Sequence, residues 1–276
     1  MGYDILLPVI KMKNIKLIAF DIDGTLVARG KRTVSEKTKE AIKRLKEKDI
    51  KILVATGRIP TLIQEDIQKV LAPDFYVTIN GQLVVDQNFQ VVTQYPLEQG
   101  EVKFLIDYAR KHRINMGLKW EKGMRVMTNF DSFAQDYLKS DPDKIKYLSD
   151  YTQMESMDLS GIYGVFFIGH VEKVLALKPQ LKSLVLSHAY DEAYELFDPQ
   201  ISKSRGVQDV LEHYQLTWDE VISFGDAHND IEMLKASKIG IAMGNSGTDV
   251  QAAANQVTLS VEDDGVYHAL KKLNII

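Results

Sequence analysis

The segment IKLIAFDIDGTL, residues 15–26, joins a short apolar run to a turn that carries two aspartates. The run at 15–20 is mostly apolar on both faces, which is typical of a buried parallel strand. Similar runs recur further along, and helical patterns such as 35–48 and 207–214 lie between several of them. The alternation predicts an α/β fold with a doubly wound, mainly parallel sheet. The other predicted strands of this sheet are 50–55, 75–79, 221–224 and 239–243.

The middle of the chain has a different pattern. Alternating residues around 84–92 and 114–128 predict two β-hairpins, and helical patterns follow at 102–111 and 171–181. Strand and helix alternation resumes afterwards, so this part is predicted to be an inserted α+β cap domain. The predicted organisation is an N-terminal extension at 1–14, a core domain at 15–82 and 196–276, and the cap at 83–195.

Composition excludes several classes of protein. The 276 residues carry a formal net charge of -4 with interspersed signs, which argues against a nucleic-acid partner. No window approaches the roughly 18–20 apolar residues of a membrane span, and the N-terminus lacks the pattern of a signal peptide. The absence of cysteine rules out disulfides and a cysteine nucleophile and suits a reducing compartment. We expect a cytoplasmic monomer or homodimer.

Acidic residues follow two of the predicted strands. Asp21 and Asp23 come directly after the first strand, and Asp226 and Asp230 follow the strand at 221–224. Ligands of open α/β sheets bind at the carboxyl ends of strands. Carboxylates gathered there repel one another unless a cation compensates, and Mg2+ prefers carboxylate and water ligands. His228 lies within the second acidic run, but Mg2+ disfavours nitrogen, so we expect an exposed loop histidine.

Two further motifs suit a phosphate. Thr56 and Gly57 lie in ATGR, residues 55–58, where a hydroxyl and backbone N–H groups at a helix start can hold an anion. Lys203, in the loop before the helix at 207–214, would supply positive charge to a transferring phosphoryl group. Each motif alone also has a structural interpretation, as a turn, a helix cap or a solvated side chain.

The ordered set of motifs resembles the phosphatases of the haloacid dehalogenase (HAD) superfamily. TINGQ at 78–82 and IAMGNS at 241–246 are similar to the Cof-like subfamily, which has an α/β (type IIB) cap. The resemblance implies a nucleophilic Asp21 and a general acid/base, Asp23. It also implies a Mg2+ site formed by the Asp21 side chain, the Asp23 carbonyl and Asp226. The substrate phosphate would be bound by Thr56, Gly57, Lys203 and Asn229, with Asp230 orienting the lysine or a metal-bound water.

The predicted function is a Mg2+-dependent phosphatase that acts on a small phosphorylated metabolite, such as a sugar phosphate, through an aspartyl-phosphate intermediate. Two alternatives remain open at this point: a phosphomutase of the same superfamily and a catalytically silent phosphometabolite-binding regulator. Two departures from the subfamily pattern are Ser204, where glycine is common, and Ser246, where alanine is common. Neither departure removes a predicted catalytic group.

Overall fold

The structure is a computed structural model that describes residues 14–28, 30–138 and 142–276. The predicted extension at 1–14 lies outside this range except for its last residue. In chain order the strands are β1 (Leu17–Phe20), β2 (Lys51–Ala55), β3 (Phe75–Thr78), β4 (Leu83–Asp86), β5 (Val91–Gln94), β6 (Asn115–Trp120), β7 (Gly123–Val126), β8 (Leu148–Asp150), β9 (Gly164–Ile168), β10 (Val185–Tyr190), β11 (Ala193–Phe197), β12 (Val221–Gly225), β13 (Ile239–Ala242) and β14 (Gln256–Val257). The α-helices are α1 (Glu36–Glu47), α2 (Glu65–Leu71), α3 (Gln99–His112), α4 (Phe130–Tyr137), α5 (Val171–Leu175), α6 (Lys203–Tyr214), α7 (Ile231–Ala236), α8 (Thr248–Ala253) and α9 (Gly265–Lys272).

The chain divides into two compact units. The first comprises the chain up to Ala55, Glu65–Phe75 and Val207–Ile276, and the second comprises Thr56–Gln64 and Tyr76–Gly206. The core and cap boundaries predicted from the sequence stay a prediction.

The first unit contains parallel strands in the order β14-β13-β12-β1-β2. The chain passes from β1 to β2 in one direction across this sheet and from β12 to β13 in the other. Right-handed crossovers therefore place α1 and α7 on opposite faces, which is the doubly wound arrangement that the sequence predicts. Because helices cover both faces, β1, β12 and β13 are buried along their whole length.

The second unit contains a six-stranded sheet in the order β10-β11-β9-β6-β7-β8. Its pairs are antiparallel except for β7 with β8, and a separate antiparallel hairpin is formed by β4 and β5. One face of the sheet packs with α3 in a large apolar cluster that includes Leu118 and Phe167. The opposite face packs with α4 around Phe133 and Phe166. Both predicted hairpins are present.

The predicted helix at 171–181 is interrupted. α5 ends at Leu175, and a short 3-10 turn at Lys178–Gln180 follows it. Pro179 explains the break, because proline has no backbone N–H and its ring clashes with the carbonyl group four residues earlier. The prediction of one continuous helix over 171–181 was therefore wrong, because it followed the apolar spacing past a proline.

A buried carboxylate anchors a loop of the second unit. Glu101, in the first turn of α3, accepts hydrogen bonds from the backbone N–H groups of Lys182 (2.8 Å) and Ser183 (3.1 Å) and from the Ser183 hydroxyl (2.6 Å). Burial acts to raise the pKa of Glu101, and the bonds from Ser183 and Lys182 more than offset it, so the pKa lies below its usual range. The ionised form is therefore the one that holds the loop.

Glu101→Ala should lower the free energy of unfolding by about 1–3 kcal/mol, because the three hydrogen bonds from Lys182 and Ser183 to a charged acceptor are lost. A carboxyl with a depressed pKa stabilises the fold above its unfolded pKa, so the difference from wild type should shrink below about pH 4. Urea denaturation at pH 7 and pH 3.5 measures both effects. The control is Asp107→Ala, at an exposed position of the same helix; an equal loss in both variants would contradict the anchoring role of Glu101.

Candidate active site

Three aspartates of the first unit converge at the ends of β1 and β12. Asp21, Asp226 and Asp230 each offer a carboxylate oxygen, and these oxygens lie within 4.8 Å of one another. The three residues are only 4%, 6% and 0% exposed. Like charges at this separation with little access to water repel strongly. Such a set of hard oxygen donors fits Mg2+ or a similar divalent cation.

Strand pairing explains why Asp21 and Asp226 meet. Phe20 of β1 lies opposite Phe224 of β12 in the parallel register. The Asp21 N–H donates to the Phe224 carbonyl oxygen at 3.0 Å and extends the pairing by one residue. The acidic residues that follow the two strands therefore leave the same edge of the sheet together.

Gly24 lets the first acidic loop fold against Asp226. Its φ is +89°, and a Cβ built at this position would lie 2.2 Å from Asp226 Oδ2. The turn closes through bonds from the Leu26 N–H to the Ile22 carbonyl (3.0 Å) and from the Gly24 N–H to the Val27 carbonyl (2.8 Å). No residue with a side chain fits this contact, so glycine is required for both its conformation and its size.

Asp230 shapes the second acidic loop. Its Oδ2 accepts hydrogen bonds from the backbone N–H groups of Asp226 and Ala227, both at 3.0 Å. A Cβ at Gly225 would lie 2.4 Å from the Cβ of Asp230, so the loop approaches this aspartate closely. Asp230 therefore holds the loop through hydrogen bonds. Its predicted role in orienting Lys203 or a metal-bound water stays a prediction.

Asp23 differs from Asp21 in its exposure. Asp21 is buried, whereas the Asp23 side chain is exposed to solvent. Asn229 is also exposed, and so is His228, whose Nδ1 lies 3.2 Å from Asp249 Oδ2. The expectation of an exposed loop histidine is therefore confirmed.

Two residues beside Asp226, Asn245 and Thr25, have no role predicted from the sequence. The Asn245 side chain donates to the Gly24 carbonyl oxygen at 2.9 Å, lies 3.5 Å from Asp226 Oδ2 and accepts from the Val261 N–H at 2.9 Å. Thr25 Oγ1 lies 3.5 Å from Asp226 Oδ1 and is buried. Asn245 lies in the motif IAMGNS, which was the available signal, but the motif alone does not say which loop it contacts.

The predicted phosphate-binding loop lies in the second unit. Thr56 is buried, and its hydroxyl accepts from the Arg58 N–H at 3.2 Å. Its N–H donates to the Val77 carbonyl (2.8 Å), and its carbonyl accepts from the Asn80 N–H (3.0 Å). A Cβ at Gly57 would lie 3.0 Å from Asn80 Oδ1. Val77 and the TING segment that follows it, residues 78–81, therefore hold the Thr56–Gly57 loop through main-chain hydrogen bonds.

Lys203 is the first residue of α6 and is only 1% exposed. A buried lysine requires partners for its charge. Gly81 lets the TING segment approach the start of α6 closely. Its φ is +101°, and a Cβ at this position would lie 2.0 Å from the Ser202 carbonyl oxygen. Ser204 is the second residue of α6, where the backbone is helical and glycine is not needed.

The fold agrees with comparisons to known proteins. Residues 18–270 match the family model of the haloacid dehalogenase-like hydrolases. The chain belongs to this family. The resemblance inferred from the motifs is therefore confirmed.

A 5-amino-6-(5-phospho-D-ribitylamino)uracil phosphatase of Bacillus subtilis is 26% identical, over 94% of this chain and 95% of its own length. A HAD-superfamily phosphatase of known structure from Bacteroides thetaiotaomicron superimposes with a TM-score of 0.82, at 26% identity and over 99% and 100% of the two chains. A subclass IIB sugar phosphatase of known structure gives 0.79, at 25% identity and over 95% and 100%.

The chain also matches about half, 55%, of a longer Streptococcus pyogenes protein named as a bifunctional phosphatase and peptidyl-prolyl cis-trans isomerase, at 29% identity over 96% of this chain. The predictions of a HAD fold and of a phosphatase-type enzyme are confirmed by this family and these relatives. Within the described ranges, no helix combines the length and the apolar character that crossing a membrane requires.

The contact between Gly24 and Asp226 can be tested with two alanine substitutions. Gly24→Ala and Gly30→Ala both place a side chain at positive φ, +89° and +78°, but a Cβ at Gly30 meets no described atom within 4 Å. Gly30→Ala should lower the free energy of unfolding by about 1 kcal/mol through its backbone conformation alone, and Gly24→Ala should lower it by more, because its Cβ must also displace Asp226. Only Gly24→Ala should also reduce phosphate release, by about tenfold or more, because it displaces a carboxylate of the cluster. Equal activity in the two variants would show that the contact is unimportant.

Proposed function

We propose that this chain is a Mg2+-dependent phosphatase that removes phosphate from a small phosphorylated metabolite through an aspartyl phosphate on Asp21. The observation that carries the proposal is the buried cluster of Asp21, Asp226 and Asp230, in a chain of the haloacid dehalogenase-like hydrolases. A protein that only bound a phosphorylated ligand would have no need for three buried carboxylates in contact range, since an anionic ligand is repelled by them.

Asp21, Asp226 and the Asp23 carbonyl would hold Mg2+. The bound cation would offset the charge of the carboxylates and of the phosphate. Thr56 and Lys203 would hold the phosphoryl oxygens, with Gly57 and Asn229 assisting through their N–H groups. The chemistry then falls to Asp21 and Asp23.

In the first step the Asp21 carboxylate attacks phosphorus, the bond from phosphorus to the ester oxygen breaks, and Asp23 donates its proton to the departing alkoxide. In the second step the ionised Asp23 accepts a proton from water as that water attacks the aspartyl phosphate. Inorganic phosphate leaves and Asp21 is restored. The exposed position of Asp23 supports this role, because its proton must reach a leaving group and then come from water.

The substrate class is supported by the names of two relatives, a sugar phosphatase and a phosphatase of a phosphoribityl compound. Both names describe small hydroxylated phosphate esters. We expect a substrate of this kind, no nucleic-acid partner, and action in the cytoplasm by a monomer or homodimer.

Asp21→Asn should reduce kcat for phosphate release by at least about a thousandfold, because an amide does not form the phosphoenzyme. Urea denaturation of the variant should still show one cooperative unfolding transition. The matched control is Asp219→Asn, whose side chain is 83% exposed and pairs with Lys238; it should keep full activity. Substantial turnover by Asp21→Asn would refute the nucleophile. Isomerised substrate without net phosphate release would instead indicate a phosphomutase, and ligand binding without either reaction would indicate a silent regulator.

Removal of divalent cations by a chelator should abolish phosphate release, and added Mg2+ should restore it. Ca2+ should restore little activity, because it prefers more ligands at longer distances than an octahedral Mg2+ site offers. Phosphate release is measured after dialysis against the chelator and then along a Mg2+ titration. Full activity after exhaustive chelation would contradict the metal assignment.

A further inference from the structure

The sheet of the second unit carries an ion pair on one face. Lys119 of β6 lies opposite Gly164 of β9, and Glu195 of β11 lies opposite Phe166. The Lys119 ammonium group donates a hydrogen bond to Glu195 Oε1. Side chains alternate between the faces of a sheet, so the next residue, Trp120, packs with the large apolar cluster on the other face. The pair therefore lies on the face that also carries α4.

This pair is too enclosed to be an ordinary surface contact. The Lys119 side chain is 10% exposed and the Glu195 side chain 24% exposed. Removing two charges from water offsets most of their attraction, and apolar residues of the same size often stabilise a fold as well or better. Stability alone therefore does not account for a lysine and a glutamate here, and Glu195 is the more accessible of the two.

Aromatic rings surround the pair. The Lys119 Nζ lies 5.8 Å from the centre of the Phe166 ring. Tyr137 packs edge-on against Phe166, with ring centres 5.5 Å apart, and the centre of the Tyr190 ring lies 6.0 Å from that of Phe166. Burial raises the pKa of Tyr137. The nearby Tyr190 and Glu195 raise this pKa further, and Arg58 lowers it. Aromatic walls with a few fixed polar groups are typical of small-molecule sites.

The pair is adjacent to the loop that carries Thr56. Gly164 has no side chain, and a Cβ at this position would lie 3.3 Å from the Lys119 Cδ and 3.7 Å from the Ile79 Cγ2. Ile79 donates its N–H to the Arg58 carbonyl oxygen (3.0 Å), and Asn80 donates to that of Thr56 (3.0 Å). All of these residues belong to the second unit. One residue's width therefore separates the ion pair from the segment that holds the predicted phosphate-binding loop.

We propose that Glu195 and Lys119 are specificity-determining residues that select a neutral, polyhydroxylated leaving group and reject one with a second negative charge. The inference rests on the proposed function, since it concerns the alcohol that remains after phosphate is removed. Glu195 would accept a hydrogen bond from a hydroxyl group of the substrate, and Lys119, with three N–H groups, would donate to another oxygen. The flat faces of the tyrosines would pack on the carbon skeleton.

The charge of the pair determines the selection. Lys119 alone would attract a carboxylate or a second phosphate on the leaving group. Glu195 cancels that attraction and, as the more exposed member, repels such an anion in surroundings where water screens little. Removal of either member should therefore change the preference for an anionic leaving group, and the two removals should act in opposite directions.

The experiment compares glucose 6-phosphate with 6-phosphogluconate, which carries a carboxylate at the far end of the same six-carbon chain. The third substrate is p-nitrophenyl phosphate, whose leaving group has neither hydroxyls nor an extra carboxylate. Wild type should prefer glucose 6-phosphate. Glu195→Gln should lower kcat/KM for glucose 6-phosphate and shift the ratio toward 6-phosphogluconate by about 10- to 100-fold, whereas Lys119→Met should shift it the other way. Hydrolysis of p-nitrophenyl phosphate should change by less than about threefold in both.

The controls separate specificity from folding. Lys122→Met removes a 70%-exposed lysine from the same hairpin and should leave the ratio unchanged. The double variant Lys119→Met/Glu195→Gln leaves no buried unpaired charge and should discriminate weakly between the two sugars. A kcat/KM ratio between the two sugar phosphates that stays constant, or that moves the same way in both single variants, overturns the inference. Activity on p-nitrophenyl phosphate would in that case still support the proposed function. A wild type that prefers 6-phosphogluconate also overturns it, and a wild type inactive on all three substrates contradicts both.

Discussion

Repulsion among three buried carboxylates is the constraint on which the rest of the site depends. Asp21, Asp226 and Asp230 lie within reach of one ion, and without compensation such a cluster opposes folding. The surrounding chain is built to accept it. Asp230 is held by two N–H groups of the loop that carries Asp226, and Gly24 removes the side chain that would otherwise occupy the space beside Asp226. The carboxylates are thus kept close together, in the arrangement that the proposed Mg2+ site requires.

The sequence predicted the sheet well because its strands are buried on both faces. Nearly continuous apolar runs such as 17–20 and 221–224 have few alternatives to a central parallel strand, and the handedness of crossovers then determines the face on which each connecting helix lies. It predicted the second unit less well. β10 and α4 were not predicted, and Pro179 ends a helix that the apolar spacing would continue.

The sequence predicts the residues of the site where they lie together in one short segment, but not the contacts between distant segments. The pairs Asp21 with Asp23 and Asp226 with Asp230 are read directly from short segments. The sequence did not predict that Asp21 is buried and Asp23 exposed, because this difference depends on the turn that Gly24 makes. The contact of Asn245 with Gly24 joins residues 221 positions apart, and no property of either segment specifies it. Its physical basis is the parallel order of β1, β12 and β13, which brings the three loops to one edge.

The same distinction separates chemistry from selection. The proposed phosphoryl chemistry relies on residues at strand ends, where the chain must turn and short motifs are constrained. The proposed selection of the leaving group relies on a sheet face, where the neighbours of Lys119 come from β9 and β11 and are set by register alone. A shift of one residue in that register would bring Trp120 to this face and move Lys119 into the apolar cluster. The burial of an unpaired lysine there would be so unfavourable that the ion pair and the register support each other.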